Sequence, residues 1–69
     1  MTQKELLYVE DAINHEKNII AYCKDLTESL EDEQLVTFIE KEIKKHESME
    51  QKLTKLLEDM SNEWSNING

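Results

Sequence analysis

Residues 1–68 contain neither proline nor glycine; the single glycine is Gly69. These two residue types are the strongest breakers of regular structure, so almost nothing here interrupts a long helix. The apolar residues recur with helical rather than strand periodicity. In the first half, Leu6, Val9, Ile13, Glu16, Ile20, Cys23, Thr27 and Leu30 follow by alternating steps of three and four, the stepping of a heptad seam. The second half steps likewise through Leu35, Ile39, Glu42, His46, Met49, Leu53, Leu56 and Met60.

The boundaries follow from capping chemistry. Thr2 and Glu5 have capping-box spacing, which starts the first helix. Asp32 is a suitable N-cap for the second, and Glu33 favours the positive end of its dipole. The spacing predicts a helix over about 3–29, a turn over about 30–33, a helix over about 34–62 and a frayed tail. Trp64 falls on the apolar side of the wheel and could add a turn to the second helix. The expected fold class is all-α: one domain over 1–69, folded as an antiparallel two-helix hairpin. Each arm has about 25 residues and a length of roughly 40 Å.

Each apolar arc covers about half of its wheel, more than one opposing helix can bury. The excess needs another surface. A second copy related by twofold symmetry would give a four-helix bundle, making a homodimer the first expectation. Another helical protein is the rival partner.

Composition narrows the function. Sixteen acidic and eight basic residues leave a net charge of −8. Nucleic acid and anionic membrane both require a cationic surface, so neither is expected as a partner. All eight basic residues are lysine, and arginine is the usual choice for bidentate phosphate recognition. The Lys41, Lys44, Lys45 group is small and surrounded by acids. Cys23 is the lone cysteine and lies on the apolar face, which reads as a core residue in a reducing, cytoplasmic setting. No apolar run is long enough to span a bilayer, and no signal-peptide pattern opens the chain. No nucleophile–base set or glycine-rich phosphate loop is visible, so hydrolase or transferase chemistry is not expected.

Charges interrupt the apolar faces. Glu16 lies in the middle of the first helix's arc, and Glu42, His46 and Glu50 fall within the second. A buried charge must be paired, neutralised or bound to a metal. With the turn centred near residue 32, residue i lies level with about residue 64 − i, which sets Glu16 beside His46 and Glu50. Glu42, His46 and Glu50 are spaced i, i+4, i+8 and stack along one side of their helix. Carboxylate and imidazole together suit iron, manganese or zinc. The same residues also fit a metal-free polar layer or a partly solvated face. His15, Tyr8 and Tyr22 read as rim or interface residues, and Met49 and Met60 as core fillers.

The segment His15-Glu16-Lys17 through Tyr22, an acidic turn, and Phe38-Ile39-Glu40-Lys41-Glu42-Ile43-Lys44-Lys45-His46-Glu47-Ser48-Met49 resemble one hairpin of a ferritin-like or rubrerythrin-like bundle. The opening Glu5-Leu6-Leu7-Tyr8-Val9-Glu10-Asp11 is similar to the start of spore coat F-like domains. The likeness runs through nearly the whole chain to Leu57 and rests on short motifs. It implies a glutamate ligand at Glu16 and the histidine of a Glu-x-x-His pair at His46. The glutamate of that pair is replaced by Ile43, a departure from the di-iron pattern, because that glutamate bridges the two irons.

Two functions are therefore expected. One is a non-catalytic assembly protein, a dimeric four-helix bundle with a sporulation or spore-coat association. The other is a metal-binding, ferroxidase-like protein using Glu16 and His46 with Glu42 or Glu50. A third option is a small regulator that docks on another protein's helices.

Overall fold

The computed structural model describes the backbone of residues 2–68 and the side chains of residues 2–63. Two helices account for nearly all of it: α1, Gln3–Ser29, and α2, Glu33–Asn68. They pack along one another as a rod-like hairpin 53 Å long and 15 Å by 12 Å across. No strand occurs among the described residues.

Both helix starts are built as their sequences require. Glu5 N–H donates to Thr2 Oγ1 at 3.1 Å, and Thr2 N–H donates to Glu5 Oε1 at 2.8 Å, which closes the capping box. At the head of α2, Asp32 Oδ1 accepts from Gln34 N–H at 2.8 Å and Leu35 N–H at 3.2 Å. Helix α1 ends without glycine: Leu30 turns into extended backbone (φ −88°, ψ 137°), and two residues later Asp32 caps the next helix. The turn is therefore only three residues, 30–32, which forces the arms to be antiparallel neighbours.

At its far end α2 continues to Asn68, past the expected end near residue 62. No proline or glycine stands before Gly69 to stop it, and the polar run Ser61-Asn62-Glu63 is compatible with a solvated helix. The side chain of Trp64, expected on the apolar side, lies outside the described residues.

On α1 the seam is the expected row, from Leu6 through Ile13, Glu16, Ile20 and Cys23 to Leu30, all buried or half-buried. On α2 it is one track over from the expected row. The observed row is Val36, Ile39, Ile43, His46, Glu50, Leu53, Leu57 and Met60, all buried or half-buried, and Glu42, Thr54 and Ser61 beside it are half-buried as well. Leu35, Met49 and Leu56, expected in the seam, are about half exposed. The apolar arc of α2 is wide enough to hold two adjacent heptad tracks, and only packing against α1 selects between them.

The core is slight. Ile13, Ile20 and Ile43 are the buried apolar side chains among the described residues, and none there is fully enclosed. So small a core leaves a lone hairpin short of what a stable domain of this size needs.

Candidate functional site

Two features stand out: a polar contact inside the seam and an apolar surface beside it. In the seam, Glu16 and His46 meet across the hairpin. His46 Nδ1 lies 2.5 Å from Glu16 Oε2. An ionised carboxylate can only accept, so Nδ1 carries the proton and donates it to the bond. The Glu16 side chain is 16% exposed and that of His46 31%. Both sit on inward heptad positions, level with the middle of α1, which is why a polar pair occupies the seam.

The other expected ligands do not join them. Glu42 lies one track outside the seam and pairs with Lys45, whose Nζ is 3.3 Å from Glu42 Oε1. Glu50 is half-buried on the seam a turn beyond His46. Among the described residues, no three His, Cys, Asp or Glu side chains are grouped to hold one metal ion. Ile43, in the place of the bridging glutamate of the ferritin-like pattern, is buried and packs as core. One hairpin thus offers one carboxylate and one imidazole at its centre. Cys23 is free and half-buried on the same seam.

The apolar surface follows from the heptad register. With Ile13 and Glu16 taken as inward positions, the track flanking the seam on one side of α1 is Ala12, Ile19 and Leu26. The corresponding track on α2 is Leu35, Glu42, Met49 and Leu56. In an antiparallel pair, like-flanking tracks lie on the same broad face, so these two rows adjoin. The next tracks outward add Tyr8, His15 and Tyr22 from α1 and Phe38 from α2. Of the seven large apolar side chains exposed among the described residues, Tyr8, Tyr22, Leu35, Phe38, Met49 and Leu56 lie on this face, and Leu7 lies elsewhere. Tyr8 is bordered by Lys4, whose ammonium sits 5.9 Å from the ring centre.

The opposite face is polar. There Lys24 and Glu47 approach to 3.9 Å across the hairpin. A shallow groove of about 420 Å³ on that side is edged by Lys24, Glu28, Glu40, Lys44 and Glu47 over Val36 and Ile43. The hairpin is therefore two-sided, and sequence periodicity alone showed the width of the apolar arcs without showing that their excess falls on one face. No described helix is long and apolar enough to cross a membrane.

No protein-family model, curated protein or solved structure matches the chain.

Proposed function

We propose that this chain is a non-catalytic assembly protein whose hairpins pair as a homodimer, forming a four-helix bundle of ferritin-like arrangement. The observation that supports it is the one-sided exposure of Tyr8, Tyr22, Leu35, Phe38, Met49 and Leu56 beside a seam with three buried residues. A face that gathers this many exposed apolar side chains on a small chain marks an interaction surface. Covering it with a second hairpin would supply the core that one hairpin lacks. Nucleic acid and membrane are not partners in this reading. A cytoplasmic, spore-coat-associated setting accompanies it through the resemblance of Glu5–Asp11 to coat F-like domains.

A second reading is favoured by one observation, the Glu16–His46 contact. Two copies brought together at their centres would supply two carboxylates and two imidazoles, a ligand set suited to iron, manganese or zinc. Glu50, a turn away on the same seam, would be the reserve ligand. A single hairpin falls short of such a site.

Native mass spectrometry and elemental analysis of one chelator-free preparation separate the readings. The assembly reading expects a metal-free dimer that stays metal-free when iron or zinc is offered. Stoichiometric metal lost in E16A would replace it with the metal-binding reading. A folded monomer would overturn both.

A further inference from the structure

The dimer proposed above leaves open how the two hairpins are disposed, and the distribution of charge bears on it. The chain carries −8 overall, yet the apolar face is almost free of that excess. Between Tyr8 and Leu26 on α1 its tracks hold no acid. Between Leu35 and Leu56 on α2 they hold one, Glu42, together with Lys45 and Lys52. Two copies can therefore meet here without opposing the acidic excess that the rest of the chain carries.

Size is also adequate. The paired length is roughly 40 Å from the 27 residues of α1, and the hairpin is 15 Å wide, a footprint of about 600 Å² before side-chain relief. The accessible area covered would approach the roughly 800 Å² per partner of a stable interface.

Face-to-face twofold packing allows two dispositions: turns at the same end, or turns at opposite ends. The turn is the most acidic part of the chain, with Glu28, Glu31, Asp32 and Glu33 within six residues. Placing two turns together would concentrate eight carboxylates at one end of the bundle. Opposite placement separates them.

Opposite placement also brings a second cation to Glu42, beside Lys45 of its own chain. The Glu16–His46 contact makes residue 46 level with residue 16, the middle of α1. A twofold axis crossing the face at that level sets position 42 opposite position 50 of the second copy. Lys52 of the partner subunit is two residues further on, about 3 Å along the axis, well within a lysine's reach. The same operation sets Leu35 and Phe38 level with Leu56 of the partner subunit, and Tyr8 near Tyr22 of the partner subunit. Same-end packing would instead set Glu42 level with Ile20 of the partner subunit.

We infer that a second copy docks on the face bearing Ile19, Leu26, Leu35, Met49 and Leu56, with the two turns at opposite ends and Glu42 paired to Lys52 of the partner subunit. This rests on the homodimer reading.

A spin label attached through E31C in a C23A background tests the disposition without touching the face. Double electron–electron resonance should give a label separation of about 45 Å, from thirty residues at 1.5 Å each. A dimer with labels within about 20 Å, the spacing of a few packed helices, would overturn this geometry and leave the homodimer standing. A folded monomer by light scattering, with no dipolar coupling, would overturn the homodimer reading itself.

Discussion

His46 donates from Nδ1 to Glu16 Oε2 across the hairpin, joining residues thirty positions apart at 2.5 Å. The bond marks the level at which α1 and α2 meet, and it places polar chemistry where a heptad seam calls for leucine. It satisfies the exchangeable proton and the carboxylate of two side chains withdrawn from water, which is the condition for keeping them in the interior.

The pair should contribute little to stability. Replacing both members with apolar residues, E16L/H46L, should raise stability by about 1 kcal/mol, since apolar replacement of a polar pair in a seam is often stabilising. E16L alone should gain less, because it strips His46 Nδ1 of its acceptor. Urea denaturation of both variants at neutral pH checks this. A double variant less stable than the parent would mean that the pair holds something beyond its own hydrogen bond.

Self-association should be sensitive to one side of α2 only. M49E places a charge in the middle of the apolar face and should weaken the dimer by at least tenfold. Q51E lies two residues away on the exposed outer side and should leave it unchanged. Sedimentation velocity across a dilution series gives both constants. Equal loss in the two variants would show that charge, rather than the face, governs association.

Charge reversal probes the inferred cross-dimer pair. E42K and K52E should each weaken association by about threefold, the scale of an exposed ion pair, and the combined variant should recover it. Because Lys45 already lies 3.3 Å from Glu42 within the chain, the readout is the coupling between the two changes rather than either alone. Additive losses would argue against contact between these positions.

Much of this architecture was legible before any coordinates. The Thr2–Glu5 capping box, the Asp32 cap and the α1 seam appear where local chemistry and periodicity put them, and the turn is one residue shorter than the expected 30–33. The α2 seam lies one track from the expected row because Leu35, Met49 and Leu56 match the three-four stepping as well as Val36, Ile43 and Leu57 do. Which track turns inward depends on the shape of α1, and a helical wheel carries no such information. The same slip explains the site. Glu16 and His46 lie on tracks common to both registers and do meet, whereas Glu42 belongs to the displaced track and pairs with Lys45 instead.

The start of α1 should respond to acid. The hydrogen bond from the Thr2 backbone N–H, followed by that from its side chain, holds the Glu5 carboxyl below its ordinary 4.5. A group lowered on folding contributes stability that is fully present above its unfolded value and is lost as pH falls through the folded one. Amide chemical shifts of Gln3–Leu6 should therefore report fraying below pH 4.5, and E5Q should abolish that pH dependence. T2A should cost the helix about 1 kcal/mol, as loss of an N-cap does.

In the proposed homodimer a second copy completes the core that one hairpin lacks. The most direct measurement is the thermal midpoint as a function of protein concentration. If the apolar face is buried between two hairpins, dissociation accompanies unfolding and Tm should rise by about 5 °C for each tenfold increase in concentration. A Tm that stays constant over two decades of concentration would mean that the hairpin stands on its own three buried isoleucines, and would contradict the account.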